Sequence, residues 1–165
     1  MSELVAFPTA GTATSVGVVL LLVGAVTKSA LVPFHFWLPG AMVAPTPISA
    51  YLHAAAMVKA GVYLVARFAP AYADLPAWQV TVLVLGSATM LLGAFRATRQ
   101  NDLKLLLAYG TVSQLGFLVI LLGYGSTGAT LAGLTLLVAH ALFKSSLFLA
   151  VGTIDHATGT RDIPV

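Results

Sequence analysis

The sequence predicts an all-α protein, a polytopic bundle of about five transmembrane helices with the first one broken at Pro33. Hydrophobic residues make up 59% of the 165 positions and charged residues only 8%, against roughly 25% charged in a soluble domain. The fifteen glycines and eight prolines suit membrane helices, which tolerate both residues better than soluble helices do. This composition excludes a soluble globular protein, a disordered chain and a nucleic-acid binder, because the net charge of +3 is too scattered for a basic patch.

The residue types also exclude several kinds of chemistry. There is no cysteine, which removes disulfides, thiolate metal sites and thiol nucleophiles. The four histidines are too scattered along the chain for a metal site. We therefore expect no catalytic residue, no cofactor and no metal. The start at residues 1–3 carries no basic residue, so it does not resemble a cleavable signal and suits a piece of a longer protein.

The first two predicted spans cover residues 14–38 and 48–68. The first carries Lys28 and Pro33, and a proline clashes with the carbonyl four residues earlier, here that of Ser29. We therefore expect the helix to break just after Lys28. A proline-rich connector at 39–47 leads to the second span, which contains His53 and Lys59 and ends in the turn-forming loop 69–76.

Three further spans are predicted at residues 77–95, 103–123 and 129–152. The third span has no ionisable residue and ends in the polar stretch 96–102, and Lys104 lies at the mouth of the fourth. After a turn at 124–128, the fifth span carries His140 and Lys144, and a polar tail follows at 153–165.

The positive-inside rule predicts the orientation of these spans. Arg96, Arg99 and Lys104 cluster in one short loop, which the rule assigns to the cytoplasm. The connector 39–47 and the tail then face the cytoplasm as well, whereas the loops 69–76 and 124–128 face outside.

Three lysines lie deep inside predicted spans: Lys28, Lys59 and Lys144. A lysine at the centre of a span costs roughly 2.5–3.5 kcal/mol on insertion scales. Such residues usually face a bundle interior or a hydrated path. Lys28 beside a broken helix matches the discontinuous helices of ion-coupled transporters, although a packing kink with a snorkelling Lys28 is the alternative. Lys59 lies near mid-span, so we interpret it as a second proton-transfer candidate.

The histidines extend the set of proton-transfer candidates. His140 and Lys144 are four residues apart, hence on one helix face, where two titratable nitrogens can pass a proton along a hydrated file. The alternative is that Lys144 snorkels and His140 only bonds a carbonyl. His53 and Lys59 are six apart and are predicted on different faces, so they need not act together, and a structural role for His53 remains open.

The predicted spans contain no acidic residue. A cation carrier normally needs an acid inside the membrane, so five helices carrying only basic groups do not form a balanced site. We expect the acidic partner to come from another chain or from sequence beyond this one.

Several motifs together resemble one family. They are residues 28–42 (KSALVPFHFWLPGAM), 45–50 (PTPISA), 53–61 (HAAAMVKAG), 101–104 (NDLK), 108–116 (AYGTVSQLG) and 140–148 (HALFKSSLF). This set resembles the antiporter-like, proton-translocating subunits of respiratory complex I and of Mrp-type sodium/proton antiporters. Residues 34–37 (FHFW) and 154–162 (IDHATGTRD) are most similar to the large A-subunit branch of the Mrp antiporters, with the complex I branch as the alternative.

The resemblance implies a role for each candidate. It makes Lys28 the central lysine of the broken helix, Lys144 the bridging lysine, His140 the histidine before it, and His53 the histidine after the break. Lys104 corresponds to an ordinary interfacial charge. Two positions depart from the family pattern, since Leu31 stands where relatives often have glutamine and Ala56 where they often have threonine.

The resemblance also implies a function and partners. Residues 1–165 correspond to the central part of the proton-translocating transmembrane domain, within a subunit of more than a dozen helices. The implied function is cation/proton antiport in a bacterial inner membrane, with protons and monovalent cations such as Na⁺ as substrates and other membrane subunits as partners. The alternatives are a complex I subunit, which would belong to a translocase, and a structural subunit that moves no ions.

Overall fold

The structure, a computed structural model, describes residues 11–163, and most of them lie in helices. Residues 1–3 of the sequence prediction lie outside that range. The helices are α1 (Thr12–Lys28), α2 (Trp37–Gly40), α3 (Thr46–Ala50), α4 (Lys59–Tyr72), α5 (Pro76–Ala97), α6 (Leu103–Gly123) and α7 (Thr127–Thr158). A 3₁₀ turn at Ala41–Val43 follows α2, and a π-helical turn at Tyr51–Ala55 follows α3.

Three of these helices are long and apolar enough to cross a membrane, namely α5, α6 and α7. The apolar helix α1 is shorter, with 17 residues. Large apolar side chains such as Leu20, Leu83 and Leu142 are exposed on the outer faces of α1, α5 and α7, as expected where lipid or other membrane helices cover them. The predicted fold class, an all-α polytopic membrane bundle, is confirmed.

Capping residues explain where the long helices begin. The Asp102 carboxylate accepts a hydrogen bond from the Leu105 N–H (3.0 Å) at the start of α6, and the Ser126 hydroxyl accepts one from the Ala129 N–H (3.2 Å) at the start of α7. Such side chains satisfy backbone donors that have no partner inside the helix.

The end of α7 differs from the prediction. It runs to Thr158 rather than residue 152 and ends at Gly159, which adopts the left-handed conformation at φ 72°. Because no earlier residue interrupts the helix, Asp155 and His156 lie in its last turns and not in a tail.

Glycines let α5 and α6 approach each other closely. A Cβ atom added to Gly93 would lie 2.5 Å from the Ser113 backbone nitrogen, and one added to Gly116 would lie 2.6 Å from the Gly86 carbonyl oxygen. Backbone atoms cannot yield as flexible side chains do, so only glycine fits at these points. Small residues of this kind are typical of helix interfaces in membranes, where close packing drives association.

The loops and the C-terminal segment meet at one end of the bundle. The Arg161 guanidinium donates to the Asp102 carboxylate (2.7 Å), the Ile163 N–H donates to the Asn101 carbonyl (2.8 Å), and the Lys104 amine donates to the Ala44 carbonyl (2.9 Å). Segments 41–47, 96–104 and 159–163 are therefore on one side, as the predicted topology requires. Which side faces the cytoplasm stays a prediction from the positive-inside rule.

Candidate functional site

The break after α1 lies where Pro33 predicts it. The helix ends at Lys28, and the Ser29 N–H makes the last helical bond to the Ala25 carbonyl. Ala30 then takes a positive φ of 52°, a conformation that no helix continues through. The chain stays irregular until α2 begins at Trp37.

Lys28 itself lies on the surface of the described bundle. It is exposed because it projects away from the stripe that α1 buries, which consists of Val18, Leu22, Ala25 and Val26. Within residues 11–163 its amine has no hydrogen-bond or ion-pair partner. The sequence predicts a buried amine beside the broken helix, whereas in the structure this amine points outward.

The second predicted span is also broken. In place of one helix over 48–68, α3 passes into the π-helical turn Tyr51–Ala55, Ala56–Val58 are not α-helical, and α4 begins at Lys59. Because His53 and Lys59 lie on either side of this break, regular helical spacing does not relate them. Both side chains instead face α7, so the expectation of different faces is wrong.

The two breaks are packed against each other. The Val62 N–H in the first turn of α4 donates to the Ser29 hydroxyl (3.1 Å) just after α1. A Cβ atom on Gly61 would clash with the Ala25 carbonyl oxygen and the Ser29 hydroxyl. Glycine at position 61 thus allows contact between the end that carries Lys28 and the end that carries Lys59.

Two buried lysines donate hydrogen bonds to backbone carbonyls of neighbouring helices. The Lys59 amine donates to the Leu137 carbonyl of α7 (3.2 Å), and the Lys144 amine donates to the Leu107 carbonyl of α6 (2.9 Å). Only 6% of Lys59 and 5% of Lys144 is exposed. Neither side chain snorkels outward, so the predicted alternative for Lys144 does not hold.

Two histidines complete this group. His53 and His140 are fully buried, and neither ring nitrogen of either residue has a hydrogen-bond partner in the described part of the chain. The ring of His53 packs on Phe148 of α7 (5.1 Å between centroids), and that of His140 packs edge-on against Phe143 (5.3 Å). The alternative interpretation, in which His140 only bonds a carbonyl and His53 is a hydrogen-bonded structural residue, therefore does not hold in the described part of the chain.

We name these four residues the lysine–histidine file: Lys59, His140, Lys144 and His53. Along α7 the contacts follow in order from Leu137, through His140 and Lys144, to Phe148, a rise of about 16 Å. His140 and Lys144 lie one turn apart on α7, Lys59 reaches α7 one turn before His140, and His53 reaches it one turn after Lys144. The file therefore consists of titratable nitrogens spaced about one helical turn apart along α7.

Lys104 differs from the interfacial charge that the motif implies. Only 2% of it is exposed, and its amine donates to the Ala44 carbonyl (2.9 Å). It anchors the connector before α3 to the start of α6, at the end of the bundle where Arg161 and Asp102 pair. It lies outside the file, at the end of the bundle.

Some parts of the file carry no side-chain signal in the sequence. The acceptors for the two lysines are backbone carbonyls of Leu107 and Leu137, which look like ordinary apolar positions. Gly110 faces Lys144 so closely that an added Cβ would lie 3.0 Å from its amine. A glycine inside an apolar helix is the one sequence signal that hints at such a close approach.

Comparison with known proteins identifies the family. Residues 1–164 match the family model described as the transmembrane region of NADH:quinone oxidoreductase and Mrp antiporters. The chain belongs to this antiporter-like family. The family resemblance predicted from the motifs is therefore confirmed.

Relatives and a solved structure agree with the family assignment. The chain is 59% identical over 145 residues to the probable K⁺/H⁺ antiporter A/B subunit of Rhizobium meliloti and 53% identical over 156 residues to the Na⁺/H⁺ antiporter A subunit of Bacillus subtilis. It is similar to a chain of the Mrp complex from Dietzia sp. DQ12-45-1b, with 54% identity over 97% of this chain and a TM-score of 0.92.

The match covers most of this chain and a small part of each antiporter relative. Each alignment to the two antiporter subunits spans 88% of this chain, but only 14% of the Rhizobium protein and 20% of the Bacillus protein. The match to the Mrp complex covers 18% of that chain. The chain thus spans about a fifth or less of the length of these relatives.

Proposed function

We propose that this chain is part of a cation/proton antiporter subunit in a bacterial inner membrane and moves protons along buried lysines and histidines in exchange for monovalent cations. On this proposal it works with other membrane subunits as a secondary transporter and not as an enzyme. The names of its relatives, K⁺/H⁺ and Na⁺/H⁺ antiporter subunits, support the exchange of a monovalent cation.

The observation that carries the proposal is the lysine–histidine file. A bundle this apolar gains nothing in stability from two buried amines and two unpaired imidazoles, since each buried charge or unpaired polar group costs free energy. Groups retained at such a cost are expected to act in transport. The carbonyl acceptors hold the two lysine amines in place, which favours transfer between fixed positions.

Transfer along the file follows from charge repulsion at short range. A proton that arrives on one nitrogen raises the electrostatic cost of a second charge nearby, because the protein interior screens charges poorly. The neighbour then releases its own proton onward. Entry of a proton at one end thereby promotes exit at the other.

The acidic partner that balances these charges is expected outside this segment. In the part of the chain that the structure describes, the four acidic residues lie in loops or at helix ends: Asp74, Asp102, Asp155 and Asp162. We assign Lys28 to the same path, as the residue that faces this partner. Its exposed position on the bundle and the packing of its helix end against α4 support that assignment.

The family description also includes NADH:quinone oxidoreductase, which keeps membership of complex I as the second candidate. In that case the file would again move protons, as part of a translocase. A non-transporting scaffold is the third, and it requires a dry interior around the file.

A graft tests the proposed function directly. This chain replaces the matching segment of the Bacillus subtilis Na⁺/H⁺ antiporter protein, with which it shares 53% identity over 156 residues, and is expressed with the other subunits. Everted membrane vesicles containing this graft should release protons on addition of NaCl or KCl, as a pH-sensitive dye reports. The relative response to the two salts identifies the exchanged cation.

The graft has a clear opposite outcome. Membrane abundance is measured by immunoblot so that assembly is separated from transport. If the grafted protein accumulates normally and no proton movement follows either salt, the antiporter proposal is wrong and a scaffold role is favoured.

Gly110→Ala in the graft should lower the antiport rate several-fold without affecting membrane abundance. The new Cβ meets one atom within 4 Å, the Lys144 amine at 3.0 Å, so the substitution displaces that amine and spares the helix packing. Gly24→Ala is the matched control, because an added Cβ there meets nothing within 4 Å. Equal rates for the two variants would show that the position of the Lys144 amine does not matter.

A further inference from the structure

Gln114 carries a buried polar atom that the lysine–histidine file does not yet explain. Its side-chain oxygen is buried and has no hydrogen-bond partner in the described part of the chain. An amide oxygen has two lone pairs, and leaving both unpaired in a poorly screening interior costs free energy. We therefore expect the Gln114 oxygen, in the middle of the apolar helix α6, to accept a hydrogen bond from a group near it.

The register of α6 against α7 shows what Gln114 faces. The two helices are antiparallel. An added Cβ on Gly133 would lie 2.7 Å from the Leu122 side chain near one end, and the Lys144 amine lies 2.9 Å from the Leu107 carbonyl near the other. Gln114 lies between these points, one turn beyond Gly110, and hence on the face that contacts α7.

The pairing of Gly133 with Leu122 and of Lys144 with Leu107 places Gln114 of α6 opposite His140 of α7. Both nitrogens of His140 are buried and unpaired in the described part of the chain. The titratable groups nearest to it along α7 are Lys59, which bonds the Leu137 carbonyl, Lys144 one turn further on, and His53, which packs on Phe148. Protonated lysines only donate hydrogen bonds. The buried Gln114 oxygen is an unpaired acceptor on the side of α6 that faces α7.

We propose that Gln114 is a positioning residue of the proton path. Its oxygen accepts a hydrogen bond from one water that in turn accepts from an imidazole N–H of His140, and this link directs the other imidazole nitrogen toward the lysines. The hydrogen bond made by one ring nitrogen determines which nitrogen holds the proton. This inference rests on the proposed function, because positioning matters only if His140 transfers protons.

Gln114→Met in the graft tests it, since methionine keeps the length of the side chain and removes the acceptor. The antiport rate should fall about tenfold, the effect of one lost hydrogen bond, and the pH dependence of transport should shift. Ser113→Ala is the matched control. It removes a hydrogen bond from the same helix, that of the Ser113 hydroxyl to the Met90 carbonyl of α5 (2.9 Å), and should leave the pH profile unchanged.

Gln114→Glu separates positioning from packing. The carboxylate restores an acceptor at the same place, so most of the lost rate should return, with a pH profile displaced by the added charge. If Gln114→Met does not accumulate in the membrane, the Gln114→Glu variant alone provides the test. A pH profile of transport unchanged in Gln114→Glu then overturns the inference.

The test also distinguishes this inference from the proposed function. A Gln114→Met variant with parental rate and pH profile overturns the role of Gln114. If His140→Ala and Lys144→Met abolish transport in the same experiment, the proposed function stands. Normal transport in those two variants overturns the proposed function itself.

Discussion

Replacing Lys144 by methionine in the graft should reduce the antiport rate by about a hundredfold or more, in line with the loss of a group that relays protons. Methionine fills nearly the same buried volume but has no titratable nitrogen. Lys144 lies between α6 and α7, bonded to the Leu107 carbonyl at 2.9 Å. Proton release in everted vesicles, divided by the amount of grafted protein, measures the effect.

Lys104→Met provides a control of the same chemistry. Lys104 is also buried and also donates to a carbonyl, that of Ala44 at 2.9 Å, but it lies at the end of the bundle and outside the file. We expect lower membrane abundance and normal transport per molecule. Equal losses of transport per molecule in both variants would mean that burial of an amine, and not its place in the file, explains the phenotype.

Lys28→Ala should abolish coupled transport, again by about a hundredfold or more, and leave assembly intact. The reason for normal assembly is geometric. Lys28 is exposed on the described bundle and bonds none of its groups, so its removal costs this segment little stability. The reason for lost transport is its position at the break, next to the contact between Ser29 and Val62 (3.1 Å) that joins α1 to the start of α4.

Arg67→Ala is the matched control for Lys28, because it removes an exposed cation from the outer face of α4. Transport and abundance should both stay at the parental level. If the Lys28 variant also transports normally, Lys28 does not belong to the path, and the lysine–histidine file must meet its acidic partner elsewhere.

Local chemistry made much of the site predictable from the sequence. Pro33 placed the first break after Lys28, because a proline removes a donor and clashes with the preceding turn whatever surrounds it. Spacing of four residues placed His140 and Lys144 on one face of α7. The cost of charge in a membrane indicated the three lysines deep within predicted spans as candidates: Lys28, Lys59 and Lys144.

Other features could not be predicted because they depend on contacts between helices. No proline or glycine marks the break before Lys59, so regular spacing wrongly separated Lys59 from His53. The break forms where α3 and the π-helical turn pack along α7, whereas α4 packs on α1 and α6 and reaches α7 through the Lys59 side chain. The roles proposed for Gln114 and Gly110 likewise depend on the α7 residues that face them, which the sequence of α6 alone does not indicate.

Composition alone determined that this chain is a membrane helix bundle, since hydrophobicity and charge act on each segment independently of its neighbours. The motifs determined its family. Only the tertiary structure decided that Lys59 and Lys144 point inward to helix carbonyls while Lys28 points outward. Side-chain direction at a broken helix is decided by the partners that pack around the break, and those partners come from distant parts of the chain.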